Sequence, residues 1–336
     1  MWPNAAGPSP KYTEACMLGS LASLPFIPFA TAPTPVEELT RLRAALGGVP
    51  RLLVKRDDAI GFAFGGNKVR KVRFVAADAL AQGADTLITT GGVQSNHARV
   101  TAAAAAKLGL HCILVVNGAP PDRPAANALL DKLLGAEMRY VNGRDDREPA
   151  MDAAAAALRR VGRRPYLIPI GASTPLGAAA FVHAVTELIE QIDPPDVILH
   201  ATSSGGTQAG LIAGCALAGV KTRVLGISAD ESSADLERTI RDILSGLAPL
   251  LGFAPDRFEA SAVEVDDSFV GPGYGIPTSE SRSAIELCAR SEALFLDPTY
   301  TGKAMAGLIA HVRRGTFKPD ETVLFWHTGG QVGLFA

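Results

Sequence analysis

The chain has 336 residues, of which 47% are hydrophobic and 20% are charged, with a net charge of −2 and a pI near 6.3. This length predicts two packed α/β domains rather than one small core. The near-neutral charge lacks the basic field that holds nucleic acid, so we expect a small-molecule ligand. No apolar run is long enough to span a membrane, so no membrane partner is expected.

The cysteines and the N-terminal region indicate a reduced, cytoplasmic protein. Four cysteines lie far apart, with neither CxxC nor Cys/His metal spacing: Cys16, Cys112, Cys215 and Cys288. Each is expected to be a small buried hydrophobic residue, and no metal site is predicted. The apolar run 16–30 is interrupted by prolines and lacks a basic leader. We interpret it as a lead-in segment rather than an export signal.

From residue 51 onward, short β-rich runs alternate with helical runs, which predicts mainly parallel sheets covered by helices on both faces. Nine strands are predicted, at Leu52–Lys55, Thr86–Thr89, Cys112–Val116, Met138–Val141, Tyr166–Ile170, Val197–His200, Arg223–Ile227, Ala293–Leu296 and Thr322–Trp326. Predicted helices include Lys68–Gln82, Asn96–Leu108, Ala125–Leu134, Pro175–Ile192 and Gln208–Ala218. Nine strands favour two doubly wound sheets, whose ligand sites lie beyond the carboxyl ends of the strands.

The first candidate site is the turn Gly65-Gly66-Asn67-Lys68 after the strand at 52–55. Two glycines permit a sharp turn and a close approach to a ligand, and Asn67 is expected to cap the following helix. A cation is disfavoured at the positive end of a helix. We therefore interpret Lys68 as a reactive amine rather than as a charge that stabilises the helix. A solvated surface lysine is the alternative. A Walker phosphate loop is excluded because Asn67 precedes the lysine and Val69 follows it.

The second candidate site follows the strand at 86–89, turns at Gly91 and Gly92, and enters a helix. Ser95 or Asn96 can cap this helix, which is a sufficient structural reason for either residue. Together with His97 they also place a hydroxyl, an amide and an imidazole at one strand end. This is more than a cap requires.

The third candidate site is Ser203-Ser204-Gly205-Gly206-Thr207, between the strand at 197–200 and the helix that begins at Gln208. Small residues leave backbone N–H groups exposed, and a helix N-terminus favours an anion, so this run predicts a phosphate cradle. A tight turn alone is the alternative. The GxGxxG spacing and a paired strand-end acid are missing, which disfavours a dinucleotide.

Two further segments, 297–303 and 327–330, also follow predicted strands and bring Tyr300, Thr301 and Thr328 toward the expected cleft. Each is also consistent with an ordinary loop. A phosphate cradle without a Mg²⁺ carboxylate, together with a lysine on a separate glycine turn, indicates a cofactor held at two ends. Pyridoxal phosphate has this shape, with a phosphate at one end and an aldehyde that reacts with an amine at the other.

From about Leu24 onward, the chain resembles the D-cysteine desulfhydrase and 1-aminocyclopropane-1-carboxylate (ACC) deaminase family of pyridoxal-phosphate enzymes. The resemblance is carried by five ordered motifs: VKRDDAIGFAFGGNKVRK, GGVQSNHARVTAAAAAKLG, SSGGTQAG, DPTYTGKAM and HTGG. It implies pyridoxal 5'-phosphate as cofactor, a homodimer and the tryptophan-synthase-β-like fold (fold type II). The implied large cofactor-binding domain is 1–70 with 185–336, and the smaller inserted α/β domain is 71–184.

The resemblance also implies roles for the residues at matching positions. Lys68 resembles the Schiff-base lysine, Lys71 an additional phosphate contact, and Thr328 the residue that faces the pyridine nitrogen. The implied phosphate loop is Ser204, Gly205, Gly206 and Thr207. Asn96 resembles the partner of the cofactor's ring hydroxyl. The implied substrate-binding or proton-transfer residues are Ser95, Asn96, His97, Tyr274, Tyr300 and Thr301, of which Ser95, Tyr274 and Tyr300 join Lys68 as catalytic candidates.

The departures from the family pattern bear on the reaction. Thr301 stands where ACC deaminases have Glu, as it does in the desulfhydrase-like members, which disfavours cyclopropane ring opening. The run Ile170–Pro175 replaces a more usual Gly-Gly-Ser-Asn and is expected to reshape the substrate pocket. The helix end and Lys71 are expected to lower the pKa of Lys68, so that it attacks as a neutral amine.

We therefore expect β-elimination from a cysteine-like amino acid, with D-cysteine converted to pyruvate, sulfide and ammonia as the first expectation. L-cysteate sulfo-lyase and ACC deaminase are the alternatives within the family. A non-catalytic pyridoxal-phosphate carrier is an alternative from another class. A phosphate-binding dehydrogenase or kinase is the alternative at the level of the fold.

Overall fold

The strands form two sheets in the computed structural model, which describes residues 19–29 and 33–336. The larger sheet has the order β1 (Val36–Glu38), β2 (Arg51–Arg56), β10 (Thr322–His327), β7 (Val197–Thr202), β8 (Arg223–Ser228) and β9 (Glu264–Asp266). In it, β1 is antiparallel to β2, and the other neighbours are parallel. The smaller, all-parallel sheet has the order β5 (Glu137–Val141), β4 (His111–Asn117), β3 (Thr86–Gly92) and β6 (Pro165–Ile168). The predicted α/β class with two mainly parallel sheets is confirmed.

The helices of the described residues connect these strands. In chain order they are α1 (Gly19–Ser23), α2 (Thr40–Ala45), α3 (Asn67–Ala81), α4 (Asn96–Leu108), α5 (Ala126–Leu133), α6 (Arg147–Arg160), α7 (Pro175–Gln191), α8 (Gly206–Ala218), α9 (Ser233–Leu250), α10 (Ser279–Glu292) and α11 (Thr301–Arg313). Parallel neighbours require crossover connections, and helices supply them here.

The larger sheet is buried on both faces. On one face, α3, α7, α8 and α9 pack together over a cluster that contains Phe181 and Trp326, whose rings meet edge to face at 5.8 Å. On the other face, α10 and α11 bury a second cluster that contains Phe325 and Met305. Burial on both faces explains why β7 and β10 are almost continuously apolar rather than alternating.

Helices cover both faces of the smaller sheet. Helix α4 presents Ala98 and Ala102 to Leu87 and Leu114, and α6 packs on the opposite face through Met151. The alanines of α4 are good helix formers, and their small side chains let the helix lie close to the strands. This packing holds the first turn of α4, with Ser95 before it, at the carboxyl end of β3.

Most of the predicted strands are confirmed within one or two residues, and one is wrong. Residues 293–297 belong to neither a strand nor a helix. Ala293 has a positive φ of 51° that ends α10, so a strand does not begin there. Two strands of three residues each, β1 and β9, were not predicted, because both are short edge strands with charged residues and no continuous apolar pattern.

Other predictions concern the domain limits and the termini. The predicted domain limits at 70/71 and 184/185 fall inside α3 and α7, and the domain division stays a prediction. Three cysteines, Cys112, Cys215 and Cys288, are buried and free, as predicted. Cys16 and all other residues before residue 19 lie outside the described residues. No helix in the described part of the chain is long and apolar enough to cross a membrane.

Candidate active site

A cavity of about 390 Å³ lies where the carboxyl ends of strands from both sheets meet. Loops after β3, β7, β8 and β10 contribute to it, as the strand-end rule for parallel sheets predicts. The predicted site residues that line it are Lys68, Ser95, Asn96, His97, Ser204, Gly205, Thr207, Tyr274, Tyr300 and Thr328. Lys71, Gly206 and Thr301 lie behind its wall.

The turn before α3 requires both of its glycines. Gly66 has a φ of 101°, and a Cβ atom there would lie 2.8 Å from the carbonyl oxygen of Thr328. Gly66, rather than Asn67, is the residue that precedes the helix. Asn67 instead lies in the first turn, where its Nδ2 donates to the Oγ1 of Thr207 at 3.0 Å and its backbone N–H donates to the Thr328 carbonyl at 3.0 Å. The turn that carries Lys68 is therefore tied to two other loops of the site.

Lys68 has an amine suited to nucleophilic chemistry. Burial lowers the pKa of this amine to about 8, and the negative charge of Asp297 opposes the shift. The pKa of Lys68 is lowered, as the sequence predicted, but the cause is different. Desolvation, rather than the charge of Lys71, is the dominant effect. A substantial fraction of Lys68 is consequently neutral and reactive near pH 8.

We expect labelling of Lys68 by an amine-directed reagent to rise with pH and to reach half its maximum near pH 8, because only the neutral amine reacts. The measurement is peptide mass spectrometry of the cofactor-free protein across a pH series, with a lysine model peptide to calibrate the reagent. A midpoint near 10.4, the ordinary lysine value, would contradict the assignment.

The loop after β3 orients the amide of Asn96. Its Oδ1 accepts hydrogen bonds from Arg99 Nη1 and Asn127 Nδ2, both at 2.9 Å. Asn127 is in turn held by Gln94, whose backbone oxygen accepts from Asn127 Nδ2 at 2.8 Å. Because two donors fix the oxygen, the NH₂ group of Asn96 is left to donate to an oxygen in the cavity. Sequence patterns did not identify Asn127, which is distant in the chain.

Ser95 and His97 flank that amide. Ser95 caps α4, because its Oγ accepts the N–H of Ala98 at 3.2 Å, as one of the two predicted alternatives. His97 Nε2 lies 2.8 Å from Thr89 Oγ1. Burial, followed by the positive charges of Lys68 and Lys71, lowers the pKa of His97 well below its usual value. His97 is therefore a neutral imidazole and does not bring a positive charge to a substrate carboxylate.

The loop after β7 forms a cradle for an anion. Gly205 has a φ of 73°, and α8 begins at Gly206, where a Cβ atom would lie 2.8 Å from Lys71 Nζ. Lys71 Nζ donates to the carbonyl of Gly171 at 3.2 Å and to Ser173 Oγ at 3.1 Å. Ser173 Oγ lies 2.7 Å from Ser204 Oγ. The run 170–175, expected to shape the substrate pocket, thus builds the back of this cradle.

Lys71 adds charge beneath the same loop. Burial and the charge of Lys68 lower the pKa of Lys71 well below its usual value. A dianion in the cradle would reverse this effect, since it would favour the protonated amine. N–H groups at the first turn of α8, two serine hydroxyls and a buried lysine are together the donors that a phosphate group needs.

Tyr274 and Tyr300 form a hydrogen-bonded pair in the cavity, with 2.5 Å between their hydroxyl oxygens. Burial raises the pKa of both phenols, and the charge of Tyr274 adds to the effect on Tyr300. Thr301 is fully buried, and its Oγ1 donates to Asp297 Oδ1 at 2.7 Å. The Thr301 hydroxyl therefore does not face the cavity. Its hydrogen bond to Asp297 instead orders the turn that presents Tyr300.

Five charged residues of the cavity were not found by sequence reasoning: Arg144, Arg147, Asp230, Glu231 and Asp235. Residues 143–148 were interpreted as a surface loop because they are charged and turn-like. The structure instead turns this loop toward the large sheet, where Arg144 pairs with Glu231 at 3.0 Å and with Asp230 at 3.3 Å. A charge-rich loop directly after a strand of a parallel sheet was the available signal.

A reactive amine and a phosphate cradle at the switch between two parallel sheets define an enzyme that holds a phosphorylated cofactor. Residues 27–329 match the family model described as pyridoxal-phosphate dependent enzyme. The chain belongs to this family, has fold type II, and depends on pyridoxal phosphate as its cofactor.

Solved structures give further comparisons. An ACC deaminase homologue is similar to this chain with 36% identity and a TM-score of 0.88, covering 96% of this chain and 97% of that one. Threonine deaminase isoform 2 from Solanum lycopersicum (15% identity, TM-score 0.67, coverage 98% and 90%) shares the fold. So does an L-serine ammonia-lyase from Rhizomucor miehei (20% identity, TM-score 0.64, coverage 90% and 94%).

The residues of the cavity fit this cofactor. The cradle at 204–207 matches its phosphate, and the close approach of Lys71 and Ser173 to Gly206 leaves no room for a side chain there. Lys68 supplies a primary amine of lowered pKa for its aldehyde. The NH₂ group of Asn96, fixed by Arg99 and Asn127, suits its ring oxygen. The Thr328 hydroxyl, a neutral group, lines the same cavity.

Proposed function

We propose that this protein is a β-elimination lyase that acts on a cysteine-like amino acid. The first candidate activity is that of a D-cysteine desulfhydrase. The observation that carries the proposal is the combination, in one cavity, of the Lys68 amine with the hydrogen-bonded tyrosine pair Tyr274–Tyr300. Bound pyridoxal phosphate would withdraw electrons from the substrate's Cα, making its proton removable. The chain must then provide a base, a proton donor and a place for the leaving group.

Lys68 is proposed as the base that takes the Cα proton once the substrate amine has displaced it from the cofactor. Its lowered pKa keeps a useful fraction of neutral amine near pH 8. Tyr300 and Tyr274 are proposed as the proton donors to the leaving sulfur, because their raised pKa values keep them protonated. Ser95 and the backbone N–H groups at the start of α4 are proposed to hold the substrate carboxylate.

Two observations bear on which of the candidate reactions the protein catalyses. Thr301, which replaces the Glu expected of ACC deaminases, favours desulfhydration over cyclopropane ring opening, and its hydroxyl is engaged by Asp297. L-cysteate sulfo-lyase is the second candidate, because Arg147 brings a positive charge into the cavity. We also propose, from the family resemblance, a homodimer that works in the cytoplasm.

The experiment is a panel of D-cysteine, L-cysteine, L-cysteate, β-chloro-D-alanine, D-serine and ACC, given to the purified holoenzyme. Pyruvate from cysteine or cysteate, with sulfide or sulfite released in equal amount, is the expected result. Formation of 2-oxobutyrate from ACC as the fastest reaction would replace β-elimination with ring opening. A yellow protein that turns over none of these amino acids would favour the non-catalytic carrier.

A further inference from the structure

Arg147 is a buried cation without a matching carboxylate. The residue is only 8% exposed, and its Nε donates to the Oδ1 of Asn117 at 3.0 Å, with a second hydrogen bond to that atom from Nη2. None of the ion pairs formed by the described residues includes Arg147, whereas Arg144 is neutralised by Asp230 and Glu231. Asn117 is a neutral amide, so it satisfies hydrogen bonds without balancing the charge.

The position of Arg147 makes this charge more unfavourable. Arg147 is the first residue of α6, where the helix dipole disfavours a cation. Burial lowers the pKa of its guanidinium, the positive charge of Arg144 lowers it further, and the negative charge of Asp230 opposes the shift only in part. A buried charge is normally paired, because leaving water without a counter-charge is costly. An anion in the cavity would offset all three effects at once.

Arg147 lies toward the substrate end of the cavity rather than the phosphate end. A Cβ atom at Gly92 would lie 3.7 Å from the Tyr274 ring and 3.9 Å from Asn117 Oδ1, the atom that Arg147 binds. Gly92 lies three residues before Ser95, and both line the cavity. Arg147 also interacts electrostatically with Tyr274 and Tyr300. The phosphate cradle has its own amine in Lys71, which an anion in the cradle would protonate. The free charge of Arg147 is therefore available to the substrate.

We propose that Arg147 forms an anion subsite for a negatively charged side chain of the substrate, which selects the second candidate of the proposed function, elimination from cysteate with its sulfonate on Cβ, over elimination from cysteine. This inference rests on the proposed function only in placing an amino acid in the cavity, and it narrows the substrate class. Arg144, held over the Tyr274 ring at 5.2 Å by its two carboxylate partners, closes the same wall without offering a free charge.

The test compares pairs of amino acids that differ only in side-chain charge. Calorimetric titration of the holoenzyme should show that aspartate, of the better-binding enantiomer, binds at least about tenfold more tightly than the matching asparagine. Arg147→Gln should abolish this preference, and Arg147→Lys should retain part of it. Arg160→Gln, an exposed arginine on the same helix, should leave it unchanged. Equal binding of aspartate and asparagine, or a preference that survives in Arg147→Gln, would overturn the subsite.

A second measurement separates the subsite from the reaction. For cysteate, kcat/KM should fall about a hundredfold in Arg147→Gln, and this loss should be at least about tenfold larger than the loss for cysteine. A loss of the same size for both substrates would indicate a structural role and would overturn the proposal. If the holoenzyme eliminates nothing from any amino acid, the proposed function fails, yet the comparison of aspartate with asparagine still decides the subsite.

Discussion

Lys68→Ala is expected to reduce β-elimination at least about a thousandfold, since the variant loses both the covalent attachment of the cofactor and the proposed base. Both roles belong to the Lys68 amine, and burial lowers the pKa of this amine to about 8. The phosphate cradle is untouched by the change, so the variant should still bind pyridoxal phosphate without attaching it. The visible absorption of the variant should then resemble that of pyridoxal phosphate with a free aldehyde, because the cofactor is bound in the cradle but is not linked to an amine.

Lys107→Ala is the matched control for this variant. Lys107 is exposed on α4, outside the cavity, and its removal should leave both turnover and absorption unchanged. Addition of small primary amines should restore part of the lost rate in Lys68→Ala, because the cavity then contains a replacement base. Turnover of Lys68→Ala at the rate of the unchanged protein would remove Lys68 from the mechanism.

Glu187→Ala is expected to lower the free energy of unfolding by about 3–5 kcal/mol, because it leaves buried cations without their partner. Glu187 accepts hydrogen bonds from Lys55 Nζ at 2.6 Å and from Arg70 Nη1 at 2.8 Å, and both cations are buried. Arg70 also pairs with Asp57, which accepts from Trp326 Nε1 at 2.8 Å. Arg70 follows Lys68 by two residues, so this network holds the helix that carries the reactive amine.

The control is Glu190→Ala, an exposed glutamate on the same helix, which should change the free energy of unfolding by less than about 0.5 kcal/mol. Urea unfolding of both variants under the same conditions makes the comparison. If the two variants lose equal stability, the network does not support the helix.

The same network predicts how stability depends on pH. Burial raises the pKa of Glu187, but the hydrogen bonds and charges of Arg70 and Lys55 outweigh it and hold the pKa at about 2. A depressed folded-state pKa gives stabilisation that is present above the unfolded value of 4.5 and is lost as the pH falls toward 2. The difference between the unchanged protein and Glu187→Ala should therefore be largest at neutral pH and should shrink below about pH 4.5.

The sequence was sufficient for features that depend on local chemistry. Apolar runs such as β7 and β10 are recognisable because both of their faces are buried. The turn at Gly65-Gly66 and the cradle at 204–207 are recognisable because positive φ angles and exposed N–H groups require small residues. These elements carry most of the information about the cofactor.

The features that the sequence did not reveal depend on contacts between distant segments. The Asn127–Asn96 bond joins residues from separate helices, and the Arg144 pair joins a loop of the small sheet to one after β8. The cause of the lowered pKa of Lys68 is burial, which only the packed structure shows. Thr301 was expected to touch substrate, yet its hydroxyl faces Asp297, since a polar residue at a helix start can serve its own turn.

Borohydride reduction of the yellow holoenzyme, followed by peptide mass spectrometry, tests the central claim most directly. Reduction converts the link between the cofactor and an amine into a stable bond, so the modified peptide identifies the lysine. We predict a single pyridoxyl-phosphate adduct on Lys68, with Lys71 and Lys303 unmodified. An adduct on another lysine, or a holoenzyme that reduction leaves without any adduct, would contradict the assignment of Lys68 as the covalent anchor of the cofactor.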